Sequence, residues 1–335
     1  MSREAQIAAF LVRHGYHAAR AEPLAQDASF RRYVRLVGGP RPAVLMDAPP
    51  PEDVRPFVRI AAHLAAIGVS VPEILASDEA AGLLLEEDLG DDLVSELTIA
   101  AEPPPSAAGL CFVTAADVLV AVQRHAPPPG LALWDAATMA ATALATLFDW
   151  WWPAMFGAAA PEAARSEFAA ALDTMLAPVA AGPVCFVHRD FFAGNLLWLP
   201  QREAMRRIGV LDFQSAALGH PAYDLASLLQ DARRDIPPVL ADAVIAHYLG
   251  ARPELDAAAF RAAYAACAAQ RHLRVAGQWV RLARRDGRPG YLAHGPRTWR
   301  LLQEAVRQPV AAPLAAALDR WIPPDRRCNP PEAAA

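Results

Sequence analysis

Apolar residues recur along this chain at two spacings, and the change from one to the other divides it. Between residues 4 and 15, Ile7, Phe10 and Leu11 mark one face of a short helix that Gly15 ends. The runs Phe30–Val37 and Ala43–Met46 are rich in β-formers and are separated by Gly38-Gly39-Pro40, a pattern that predicts a hairpin. A helix from about Arg55 to Ile67 and two further strands, Val71–Leu75 and Gly82–Glu86, complete this first part. Helical spacing then takes over, in Leu110–His125, in the Ala-rich run Ala136–Leu147 and through most of Val239–Trp321, which breaks at Arg285–Gly290. Prolines in 101–105 and 126–130 punctuate these helices, because proline cannot continue one. The expected class is α+β, with a small β-rich lobe over residues 1–89 and a large, mostly helical lobe over 90–322. Residues 323–335 lack periodicity and are expected to lie loosely on the surface.

Polar chemistry concentrates in Val187-His188-Arg189-Asp190-Phe191-Phe192-Ala193-Gly194-Asn195. His188-Arg189-Asp190 with Asn195 has the spacing H-R-D-x-x-x-x-N, in which the carboxylate orients an attacking hydroxyl and the amide oxygen ligates magnesium. The short apolar run Ile208–Leu211 ends in Asp212, which places a second metal ligand, a carboxylate, at a fixed distance from that loop. Phosphoryl transfer needs both parts: one carboxylate near the hydroxyl, and oxygen ligands for the cation that neutralises the transferred group. The tripeptide alone fits equally well a turn in which Asp190 or Asn195 binds its own backbone. The offset of Asn195, the strand-borne Asp212 and the later Tyr223-Asp224-Leu225 favour the catalytic reading.

With these residues the chain resembles the aminoglycoside phosphotransferase and choline kinase superfamily, whose members share the bilobal fold of protein kinases and phosphorylate small molecules. The resemblance covers nearly the whole chain. It implies a catalytic base at Asp190, a loop supported by His188 and braced by Asp224 at a helix start, Mg2+ held by Asn195 and Asp212, and ATP as co-substrate. Gln214 stands where many relatives carry a second acid. Five strings are similar to a narrower branch: Asp27–Tyr33, Met46–Pro51, Arg55-Pro56-Phe57, Gly209–Gln214 and Gln270–Val275. That branch holds the bacterial kinases that phosphorylate the anomeric hydroxyl of N-acetylmuramate and N-acetylglucosamine in cell-wall recycling. The alternatives are a kinase of an aminoglycoside, choline or another amino alcohol, and a non-catalytic, pseudokinase-like protein that binds nucleotide or sugar.

The chain departs from the superfamily in having no lysine; all 31 of its Lys and Arg class are arginine. The superfamily's phosphate-binding lysine would fall near Met46, so an arginine from elsewhere is expected to clamp the phosphates. Gln26–Ser29, where the phosphate-covering loop is expected, lacks glycine, which leaves the Ser29 hydroxyl and the guanidinium of Arg31 or Arg32 as candidates. Strand alternation would equally leave such residues to solvent. Adenine is expected to pair with the hinge near Glu86 and Asp88. On the acceptor side, Arg271 and Arg274 are three apart on one helix face and suit a sugar carboxylate, against a solvated face or an internal ion pair. Trp151, within the cluster Phe148–Trp152, is the candidate platform for a sugar ring, against ordinary core packing.

Composition narrows the partners. A chain of 335 residues with 54% apolar content can bury a large core. A net charge of −5 and a pI near 6.0 give no basic footprint for nucleic acid. Neither an apolar leader nor a membrane-length apolar run is present, so a cytoplasmic enzyme is expected; a monomer is a separate expectation that these runs do not decide. Cys111, Cys185, Cys267 and Cys328 lack C-x-x-C spacing and read as buried thiols in a reducing compartment.

Overall fold

The computed structural model of the chain describes residues 2–24, 31–97 and 106–331. It folds as two units, 1–97 with 194–215 and 98–193 with 216–335. The first seam therefore falls at 97 rather than 89, and a segment expected in the helical lobe belongs to the β-rich unit. The class is α+β, as the two spacings predict.

In the first unit, helix α1 (Arg3–Arg13) precedes β1 (Arg20–Pro23), β2 (Arg32–Val37) and β3 (Ala43–Asp47). Helix α2 (Arg55–Ala66) then leads to β4 (Ile74–Asp78) and β5 (Leu83–Glu87). The strands form one antiparallel sheet in the order β1-β2-β3-β5-β4. β1 has no apolar run of its own and exists by pairing along β2, with Arg20 opposite Val37 and Pro23 opposite Val34. β4 begins three residues later than its apolar pattern suggests, because Pro72 has no N–H to give a ladder.

Alternation gives this sheet two different faces. Leu36, Ala43, Leu45, Leu83 and Leu85 bury against Phe10 of α1 and Tyr16, with Ile7, Leu11 and Val34 packed around them. Arg3 of α1 donates to Asp47 on the same side, Nε to Oδ1 at 2.8 Å. The other set, Tyr33, Arg35, Val44 and Glu86, lines a cavity of about 630 Å³.

The second unit is helical apart from a three-stranded sheet in which Ala217–Gly219 pairs parallel to Ala132–Trp134 and antiparallel to Cys185–Val187. Its spine is the helix Ala257–Arg285, capped by Asp256 Oδ1 on the Ala259 N–H at 2.7 Å and packed against Ala136–Thr146, Ala222–Leu229 and Gly295–Ala305. The described part of the expected tail, 323–331, is pinned at one point rather than loose throughout: the Asn329 amide donates to the Leu292 carbonyl at 2.6 Å. Cys328 is exposed, whereas Cys111, Cys185 and Cys267 are buried as expected. Among the described residues no helix is long and apolar enough to cross a membrane.

Gly277 fixes the spacing of this spine. A Cβ there would stand 2.2 Å from the Thr146 carbonyl oxygen, a backbone atom that cannot swing aside. Gly277→Ala is expected to lower the unfolding free energy by about 1–3 kcal/mol, read from urea denaturation at constant m-value.

Candidate functional site

The strand Cys185–Val187 delivers the chain into His188-Arg189-Asp190. Asp224, in the first turn of the helix Ala222–Leu229 and wholly buried, accepts the N–H groups of His188 at 2.6 Å and Arg189 at 2.9 Å. The next N–H, that of Asp190, donates to His188 Nδ1 at 3.3 Å. Arg189 is held at φ 74°, a left-handed conformation that a residue with a Cβ rarely adopts without outside support. Burial pushes the Asp224 carboxyl up to about 6, against the pull of His188 and the two backbone donors. Asp190 itself is half-buried.

In the other unit, Leu196–Trp198 and Ile208–Val210 form a two-stranded hairpin with Leu196 opposite Val210. The Leu211 N–H donates to the Asn195 carbonyl at 3.0 Å, which sets Asn195 and Asp212 at the same end of the hairpin. Val210 N–H to Ser70 O, at 2.8 Å, and Trp198 N–H to Asp92 O, also at 2.8 Å, tie the hairpin on both sides. Asp212, at φ 58°, is the second strained residue of the motif. Gln214 Nε2 donates to Asp212 Oδ1 at 2.6 Å, leaving the buried Gln214 Oε1 without a partner. Behind Asp212, Phe213 packs on Phe57 of α2 with ring centroids 4.5 Å apart. Asn195, Asp212 and Gln214 line the same cavity as Tyr33, Val44 and Glu86.

The remaining expected residues divide. Ser29 lies outside the described residues. Arg32 is exposed and shares its parity on β2 with Val34 and Leu36, so it sits on the α1 face of the sheet; the expected phosphate contact from Arg32 is corrected by that alternation. Arg31, of opposite parity, is 7% exposed and donates from Nε to Glu52 Oε2 at 3.0 Å. The Asp88 carboxylate is taken by Arg35, with Oδ2 2.6 Å from Nε and Oδ1 3.0 Å from Nη2. The N–H groups of Glu87 and Asp88 point to the carbonyls of Glu73 at 2.8 Å and Pro42 at 3.5 Å, and Leu89 and Gly90 also line the cavity.

In the helical unit Arg271 is 2% exposed, and its Nε and Nη1 have no hydrogen-bond partner among the described residues. Arg274 donates from Nη2 to the Tyr223 hydroxyl at 3.3 Å, and Asp190 is among the charges that act on both guanidiniums. His272, between them, is neutral: burial and the Arg271 charge bring it down to about 3, and its Nε2 lies 2.9 Å from Gln230 Oε1. Trp151 is a correction. It is fully buried on Trp299 at 5.0 Å between centroids, with its indole N–H on the Cys328 carbonyl at 2.9 Å, and it has no free face for a sugar. A larger cavity of about 1030 Å³ in this unit is lined by Gln230, Arg234, Arg261 and Tyr264 but by none of Asp190, Arg271 and Arg274, so its size carries no argument about the chemistry.

The model of the phosphotransferase enzyme family matches residues 20–260. The chain belongs to this family. A relative named N-acetylmuramate/N-acetylglucosamine kinase, from Caulobacter vibrioides, is 38% identical to this phosphotransferase over 97% of its length and 98% of the relative's. One of the same name from Pseudomonas aeruginosa is 36% identical, covering 88% and 87%. Among solved structures, the choline kinase LicA of Streptococcus pneumoniae superposes with a TM-score of 0.60 at 14% identity, covering 92% of this chain and 98% of that one. The GDP complex of aminoglycoside 2'-phosphotransferase-IIIa does so with 0.63 at 13%, covering 91% and 98%. These structures share the bilobal kinase-like fold.

Sequence reasoning passed over two residues of this phosphotransferase. Glu52, the partner of Arg31, follows a proline run without any periodic signal. Trp134 lies 4.1 Å beneath the Arg189 guanidinium and 5.5 Å from the Tyr223 ring, yet belongs to a strand of only three residues. Burial raises the carboxyl of Glu86, 4% exposed, from 4.5 to about 8, partly opposed by Arg31. A group raised by folding contributes stability that is complete below its unfolded value and lost as pH climbs through the folded one, here between 4.5 and about 8. Between pH 6 and 9 the unfolding free energy is expected to fall by about 2 kcal/mol more in the parent than in Glu86→Gln, measured in urea at each pH. Parallel pH curves for the two chains would contradict a neutral buried Glu86.

Proposed function

We propose that this phosphotransferase is an ATP- and Mg2+-dependent sugar kinase. Its product is the 1-phosphate of N-acetylmuramate, N-acetylglucosamine or both, formed at the anomeric hydroxyl and used in cell-wall recycling. The observation that carries the reaction is Asp224 holding two consecutive N–H groups of the loop that presents Asp190. The substrate class rests on relatives of that name at 38% and 36% identity, and on the paired guanidiniums of Arg271 and Arg274.

Asp190 accepts or orients the proton of the sugar hydroxyl, so that its oxygen attacks the γ-phosphorus as the bond to ADP breaks. The Asn195 amide and Asp212 carboxylate are hard oxygen donors, and the orphaned Gln214 Oε1 beside them supports a fit to magnesium. Among the described residues no group of three or more His, Cys, Asp or Glu forms a metal cage, which suits an ion that keeps water and phosphate oxygens as ligands. When bound, the ion neutralises charge on the transferred group. Ser29 and Arg31 serve the nucleotide phosphates, and the hinge backbone at Leu89 and Gly90 serves the base. Arg271, with free buried donors, pairs with the lactyl carboxylate of N-acetylmuramate. The same positive pair disfavours a polycationic aminoglycoside. The enzyme acts as a cytoplasmic monomer in this reading.

ADP release with magnesium and N-acetylmuramate, N-acetylglucosamine, choline and kanamycin in parallel is expected to respond to the amino sugars, with phosphorus NMR coupling the new phosphate to the anomeric proton. Turnover with choline or kanamycin alone would overturn the substrate class. Asp190→Asn should lower kcat by roughly a hundred- to ten-thousandfold while leaving nucleotide affinity and melting temperature in place. Arg271→Gln should raise KM for N-acetylmuramate by about tenfold and leave that for N-acetylglucosamine within about threefold.

A further inference from the structure

Met46 occupies the strand position from which the superfamily's lysine would act, and its surroundings leave it no such role. It is fully buried on β3, opposite Tyr33 of β2 and Leu84 of β5. Its parity is that of Val44, so it shares the cavity face of the sheet with Tyr33 and Glu86. Arg31 is two residues before Tyr33, and its charge acts on both the Tyr33 hydroxyl and the Glu86 carboxyl, which puts its guanidinium near this side. Tyr33 in turn feels the charge of Asp212.

The guanidinium is held but not used up. Nε is fixed by Glu52 at 3.0 Å, yet Nη1 is buried without any hydrogen-bond partner among the described residues. A buried N–H of a charged group is expensive to leave unpaired, so the arrangement is complete only when an anionic oxygen arrives. Glu86, the other acid close by, is pushed towards its neutral form by burial, which leaves Glu52 as the ion-pair partner of that charge.

We infer that Arg31, oriented by Glu52, contacts the nucleotide phosphates from the start of β2 in place of a lysine on β3. Arg31 and Glu52 thus form a pair of cation and orienting acid in which both members have moved along the chain. The inference rests on the nucleotide-binding reading above and sharpens it to one side chain.

Calorimetric titration of the full chain with magnesium and ATP, and separately with adenosine, tests it. Arg31→Ala is expected to weaken ATP binding by about ten- to a hundredfold, as for loss of a charge-assisted hydrogen bond, and to leave adenosine binding within about twofold. Arg31→Lys should recover part of the loss, and Arg32→Ala should change ATP affinity by less than about threefold. If Arg31→Ala fails to fold, Glu52→Gln decides: ATP should bind about three- to tenfold more weakly with adenosine unchanged. Unaltered ATP affinity in Arg31→Ala, or in Glu52→Gln where the first is unfolded, overturns the inference while the nucleotide reading stands. A parent chain that binds neither ATP nor adenosine overturns both.

Discussion

A single buried carboxylate sets the shape of the catalytic segment. Without Asp224 the N–H groups of His188 and Arg189 would face each other's neighbours in an apolar interior, and the left-handed Arg189 would have no reason to persist. The strain at Arg189 is on the order of 1–3 kcal/mol, and two hydrogen bonds to an ionised acceptor, at about 1.5–3 kcal/mol each, outweigh it. Position on the first turn of a helix helps, since the backbone there favours a negative charge. The consequences spread sideways. Turning Arg189 over sends its guanidinium onto Trp134, whose edge meets Tyr223, whose hydroxyl receives Arg274. The geometry of the loop and the placing of Arg274 thus share a support.

In the β-rich unit the governing constraint is different: a sheet with one face packed against α1 and the other turned to a cavity. α1 supplies enough apolar surface for Leu36, Leu45 and Leu85, and it takes no part on the other side. Polar residues of the opposite parity are then free to be selected for chemistry, and Tyr33, Arg35 and Glu86 all fall there. The hairpin 196–210 brings Asn195, Leu197, Leu211 and Asp212 to the lining of that cavity, and its end bond between Leu211 and Asn195 holds the two chain ends together there.

What the sequence disclosed follows the range of each interaction. The loop His188–Asn195 and the strand-end Asp212 were legible because their geometry is written in short local spacing. The helices were legible from periodicity, as for Ala136–Leu147, observed as Ala136–Thr146. β1 was not, since Arg20–Pro23 becomes a strand only by pairing with β2. Trp151 misled for a related reason. Adjacent indoles point in different directions, and the one that faces inward is decided by a tail residue, Cys328, that lies 177 positions away. The described part of the tail was misread for a similar reason: a proline-rich segment without periodicity can still be pinned by a side chain that bonds a carbonyl 37 positions away, as Asn329 does to Leu292.

A chain without lysine must solve every cationic contact with a larger, flatter group, and that requirement bears on where the contact starts. A lysine ammonium is compact and reaches along a single strand, but a guanidinium needs width and several acceptors. At position 46, between Tyr33 and Leu84, an arginine would be stripped of water with no acid on either neighbouring strand position. Position 31 lies just before β2, and Glu52 is in reach of its guanidinium. Arg271 sits on a long helix rather than in a loop: its stem is buried by packing, and Nε and Nη1 have no partner among the described residues. Arginine also stays charged where burial would neutralise a lysine, so a buried guanidinium keeps its attraction for anions even when water is excluded.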